Sequence, residues 1–100
     1  MLPIREVVRM YVGKEFVLRE IAGEYIIIPT GKMVSSFNGL ITVNEVGVSL
    51  WNMLQEDVTL EQLVEGILNE YDVEEDVARR DIVEFLERLE DNGVLTGKAR

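Results

Sequence analysis

Three short stretches carry residue types that do chemistry elsewhere, and each has a plainer reading. Pro29-Thr30-Gly31-Lys32 echoes the end of a phosphate-binding loop. But Lys32 is followed by Met33 instead of Ser or Thr, and the upstream glycine is missing, so the stretch reads as a turn. Glu74-Glu75-Asp76 groups three carboxylates, but a calcium loop alternates its oxygen ligands around a central glycine. These acids suit the positive first turn of a helix instead. Asp91-Asn92-Gly93 reads as a helix end. The chain has no histidine and no cysteine, so Ser35, Ser36 and Ser49 have no imidazole to activate them. Its other carboxylates fall mostly on predicted helix exteriors, where nothing separates their acid and base roles. No catalytic residue, metal ligand or cofactor site is expected, and recognition is what remains.

Charge narrows the kind of recognition. The net charge is −9, with five basic and five acidic residues in 1–50, and five basic against fourteen acidic in 51–100. An acidic half of that kind is poor material for a phosphate-binding surface, because non-specific nucleic-acid affinity comes from Lys and Arg displacing counterions. The plain reading is a solvated acidic face. One hundred residues with 47% hydrophobic content suit a single soluble domain. The lack of cysteine fits a reducing compartment. No apolar run has the length of a membrane span, and Arg5, Glu6 and Arg9 interrupt the start where a signal peptide would be apolar. A cytoplasmic location without membrane attachment is the expectation.

The elements that must position any binding surface meet at Phe37–Leu54. Asn38-Gly39 is a turn dipeptide that launches a buried strand, Leu40 to Val43, and this runs into a helix at Asn44. Asn is a preferred helix N-cap, and Val43 and Val48 have the spacing of a hydrophobic staple. Upstream, Phe16–Ile21 and Tyr25–Ile28 read as a hairpin closed by Ala22-Gly23. Downstream there are three helices. Val46, Leu50, Met53 and Leu54 share a face of the first. Thr59 with Gln62 forms a capping box for the second, whose stripe runs Leu60, Leu63, Val64, Ile67, Leu68, Tyr71. Asp72 with Glu75 is expected to cap the third, with a stripe of Ala78, Ile82, Phe85, Leu86 and Leu89 before Gly93 ends it. The predicted fold is α+β and winged-helix-turn-helix-like: a three-stranded antiparallel sheet followed by three helices.

Two uses fit that fold. A winged helix can read DNA, and a transcriptional regulator is the alternative function. However, Glu74–Asp91 carries eight acidic and three basic residues, and phosphate would repel it. An unpaired sheet edge instead takes an extended peptide as an added strand, with neighbouring side chains choosing its sequence. The strand before Asn44 is the candidate edge and the third helix the candidate wall. Ile41, Val43, Phe85 and Leu89 read equally well as core.

The residues that carry a family likeness are Phe16–Pro29, Leu40-Ile41-Thr42-Val43-Asn44, Gly47 and Trp51–Leu54. They continue through Thr59–Val64, Tyr71-Asp72-Val73, Phe85–Leu89 and Gly93–Leu95. In these the chain resembles the PqqD-like proteins, small peptide chaperones of pyrroloquinoline quinone synthesis. One departure is Val43 where the family usually has Leu. The resemblance covers 16–95 as the recognition domain. It leaves 1–15 as an arm (an extra strand, or a segment exchanged in a homodimer) and 96–100 as a tail. It implies a non-catalytic element that binds the leader of a ribosomally made precursor peptide by strand addition. It also implies a maturation enzyme as partner, most often a radical S-adenosylmethionine (SAM) enzyme, with a lasso-peptide leader protease as the competing choice. Carried over by position, the peptide would lie against Leu40, Ile41, Thr42 and Val43 on the strand and Arg79, Ile82, Val83 and Leu86 on the third helix.

Overall fold

The computed structural model describes residues 9–31 and 41–98. Leu40, and the stretch from Lys32 to Phe37 whose strand boundaries the sequence leaves open, lie outside the described residues. The order of elements is β1 (Arg9–Val12), β2 (Phe16–Ile21), β3 (Glu24–Pro29), β4 (Ile41–Val43), α1 (Glu45–Met53), α2 (Leu60–Glu70), α3 (Glu75–Asp91) and β5 (Leu95–Lys98). The expected three-stranded antiparallel sheet is present, in the order β2-β3-β4, and the three helices follow it.

The hairpin between β2 and β3 sets the parity of the whole sheet. Ala22 and Gly23 both have positive φ, at 53° and 83°, which is the conformation of a two-residue type I′ turn. Such a turn closes on a hydrogen-bonded pair, here Ile21 with Glu24. Pairs alternate along an antiparallel ladder, so Tyr25 and Ile27 turn their backbone groups toward β4. Their partners are Val43 and Ile41. Thr42, between them, turns its N–H and C=O the other way, out of the sheet.

Each helix has a local reason for its ends. The Asn44 side chain accepts the Gly47 N–H at 2.9 Å and starts α1. Thr59 and Gln62 cap α2 reciprocally, at 3.1 and 2.9 Å. The expected Asp72 cap is not used: α3 begins after Glu74, which makes no side-chain cap bond. Val73 packs against the core, and the Tyr71 hydroxyl lies 3.2 Å from that of Ser49. Holding both keeps the chain extended past Asp72. At the far end Gly93 (φ 73°) donates to the Glu90 carbonyl and Val94 to that of Leu89, a Schellman motif.

A second sheet joins the two ends of the chain. β1 pairs antiparallel with β5, from Arg9 opposite Lys98 to Val12 opposite Leu95. The opposite edge of β1 is held by the segment between α1 and α2, through mutual bonds of Met10 with Val58 and a bond from Val12 N–H to the Leu54 carbonyl. Met10 and Val12 are thereby buried beside Leu54, Leu63, Ile82, Leu86, Leu89 and Val94 in one core. Residues 9–12 and 95–98 thus form structure together within one chain. Among the described residues no helix is long and apolar enough to cross a membrane.

Candidate functional site

The sheet and α3 leave a groove at the Asn44 corner. Its volume is about 400 Å³. Val43, Val46, Gly47 and Leu50 form its floor with Phe85 from α3. Asn44, Asp81, Glu84 and Arg88 complete it with polar groups. The α3 residues recur at i, i+3, i+4 and i+7, one face of the helix. Gly47 is what allows Phe85 to lie so close. A Cβ there would stand 3.0 Å from the Val43 Cβ and 3.2 Å from the Phe85 ring.

From β4 the groove takes Val43, and the free edge of that strand lies next to it at Thr42. Among the described residues β4 pairs only with β3, so the outward N–H and C=O of Thr42 face the groove side without a strand partner. Arg88 confirms the direction: its Nη2 donates to the Thr42 carbonyl. Across 46 residues of sequence, the helix wall reaches the strand by this contact.

The residues expected at a peptide site divide. Thr42 is exposed at the edge and Val43 is half-buried in the groove. Ile41 is 4% exposed, and Ile82 and Leu86 are 0% exposed, so all three are enclosed in the core. Val83 is half-buried and packs against that core. Arg79 faces α2, where it binds Glu61 at 2.6 and 3.0 Å, and it also binds Glu75, one turn back on α3 itself, at 3.3 Å. Those bonds from Arg79 hold the Glu61 carboxyl below the usual carboxylate range and raise the arginine above its own. Asp81, Glu84, Phe85 and Arg88 stand in the groove instead, one face round the helix. One sign of this was legible. Ala78, Ile82, Leu86 and Leu89 make a complete buried stripe without Phe85, which leaves an aromatic ring to spare.

Ser49 is used structurally: its hydroxyl donates to Glu70 Oε2 at 3.0 Å and ties α1 to the end of α2. The turn at Thr30 is likewise structural, with its N–H and hydroxyl both donating to the Glu15 carbonyl, at 2.6 and 2.9 Å.

The family model for PqqD, coenzyme PQQ synthesis protein D, matches residues 6–95, nearly the whole chain. The chain belongs to the PqqD family. The match reaches back beyond Phe16, into the stretch that carries β1. No curated protein sequence matches the chain. Three solved structures share the fold. TbiB1 in complex with the TbiA(beta) leader peptide is 24% identical, with a TM-score of 0.69, covering 90% of this chain and 99% of that one. Lasso peptide synthetase B1 complexed with its leader peptide is 17% identical, with a TM-score of 0.68 and coverages of 87% and 96%. The PqqD truncation of Methylobacterium extorquens PqqCD is described as a stand-alone recognition element for ribosomally synthesised, post-translationally modified peptides. It is 14% identical, with a TM-score of 0.67, and covers 88% of each chain. At these identities the likeness is one of fold.

Proposed function

We propose that this PqqD-family protein is a non-catalytic recognition element. It binds the leader of a ribosomally made precursor peptide as a strand added to β4 and presents the remainder to a maturation enzyme. The observation that carries the reading is the outward-turned backbone of Thr42 at the head of a groove walled by α3. An extended peptide there has a donor and an acceptor to pair with. It also has an apolar floor, from Val43 to Phe85, for alternate side chains. Two proteins of the same fold were solved with leader peptides, which supports the same use here. A DNA-reading role finds no support in α3, where Asp81 and Glu84 face the groove.

The site we assign is Thr42, Val43, Gly47 and Phe85, with Asp81, Glu84 and Arg88 along the helix. Its partner enzyme is taken to be of the radical SAM type, as the family resemblance implies, in the cytoplasm. Titrating a fluorescently labelled leader from the precursor encoded beside this gene tests the binding. Saturable binding with new exchange protection at the Thr42 amide is expected. Failure to bind any neighbouring leader, or binding that leaves that amide unprotected, overturns the proposal. Co-purification with the adjacent maturase, whether radical enzyme or leader protease, tests the partner separately.

A further inference from the structure

Arg88 stands out within α3 for what it binds. Glu84 lies one turn before it and Asp91 just under a turn after, yet among the described residues Arg88 forms no ion pair. Its guanidinium rests on the Thr42 carbonyl, a neutral acceptor, and its own backbone carbonyl accepts from the Asn92 side chain at 2.8 Å. The Thr42 carbonyl is the acceptor an added strand must use. A strand that pairs with Thr42 therefore brings its own N–H to the oxygen that Arg88 already holds, and its side chains meet the guanidinium at the mouth of an apolar groove.

We infer that Arg88 is a specificity-determining residue, and that the groove takes a peptide strand with an acidic side chain facing it. This rests on the strand-addition reading above. A bond from arginine to a carboxylate pairs opposite charges and can use two parallel N–H groups, neither of which a single bond to a neutral carbonyl does. An acidic strand thus offers the guanidinium a better contact than the one it holds. A neutral strand offers the guanidinium no charge and leaves it to share the Thr42 oxygen, to water or to an exposed pair with Glu84, which is weak on a helix surface. The other charges complete the pattern. Asp81 and Glu84 line the same groove and repel an acid placed opposite them. Glu84 is about 6 Å along the helix from Arg88. Side chains on one face of a strand repeat at about 6.7 Å. The favoured occupant therefore carries an acidic residue facing Arg88 and, two positions away, a basic residue facing Glu84.

The test uses a display library of random fifteen-residue peptides, selected on the full chain and on its Arg88→Glu and Arg88→Ala variants. Arg88 is exposed on a helix surface, so the fold should survive, and a thermal melt checks it. The wild-type chain is expected to enrich peptides with an acid and a base two residues apart. Arg88→Glu should lose these by at least about tenfold and enrich a base at the acid's position. When the acid of a selected peptide is changed to glutamine, Arg88→Ala should bind it at least as well as the wild-type chain does. Peptides enriched without an acid preference, or a preference unchanged in Arg88→Glu, overturn this inference and leave strand addition standing. Enrichment of no peptide by the wild-type chain overturns both.

Discussion

The central sheet has two outer edges, and both carry an arginine on an outward carbonyl. On β2, Arg19 donates to the carbonyl of Leu18, its own neighbour, at 3.1 Å. On β4, the donor to Thr42 comes from α3. Covering edge carbonyls with charge is a common defence against edge-to-edge aggregation, and β2 needs no more explanation than that. Its end is exposed: Arg19 and Glu20 face solvent and Ile21 is 50% exposed. The β4 edge differs because its guard belongs to a wall. It lies beside a wall and an apolar floor, where an edge alone is a hazard. The same contact thus caps one edge from within its own strand and, at the other, ties the edge to the wall of a groove.

The comparison breaks most sharply by removing one donor from each edge. Thr42→Pro removes the outward N–H of β4 and leaves the bonds of Ile41 and Val43 to β3 in place. Leader binding should fall about 10- to 100-fold, the scale of 1–3 kcal/mol for an unmade buried hydrogen bond. Glu20→Pro is the matching change on β2, at another outward position, and should leave binding unchanged. Equal losses in both variants would show that the two edges are alike. Fluorescence titration measures both.

Next come the two helix caps. Asn44→Ala and Thr59→Ala should each cost about 1 kcal/mol in denaturant unfolding. Only the first should weaken peptide binding as well, because Asn44 stands in the groove and Thr59 caps α2, outside it. Smaller still, Ala22→Gly should stabilise by a net few tenths to about 1 kcal/mol. It relieves the left-handed alanine but frees the unfolded chain. Leader affinity should not change, since neither residue of the turn lines the groove. The smallest effect should be that of Arg79. Its pairing with Glu61 lowers that carboxyl's pKa, so its contribution is present above the ordinary carboxylate value. The contribution is lost as pH falls through the lowered one. Both partners are solvated, and the acid-limb difference between wild type and Arg79→Ala should be slight.

Much of this arrangement can be read from residues alone. The Asn44 corner, the Thr59–Gln62 box and the Gly93 stop follow from side chains that satisfy backbone groups within a few positions, and they are in place as expected. The Asp72 cap is not, because Tyr71 and Val73 are anchored to other elements, and tertiary contacts outrank a local cap. The groove itself shows a subtler limit. Ile82 and Leu86 lie one position from Asp81 and Phe85, and on a helix one position is a turn of about 100°. A likeness aligned by position can therefore name residues that the helix turns into the core.

The sequence by itself left β1 as one reading of an arm and β5 unread; it determined the β2-β3 hairpin, the strand before Asn44, the three helices and their order, and the absence of the usual catalytic side chains. Those follow from hydrophobic period and local hydrogen bonding, which act over three to five residues. Only the tertiary structure decided which face of α3 meets β4, that Phe85 rather than Leu86 floors the groove, and that Arg88 reaches Thr42. Contacts between residues far apart depend on how the whole core packs, and no short-range rule contains that information.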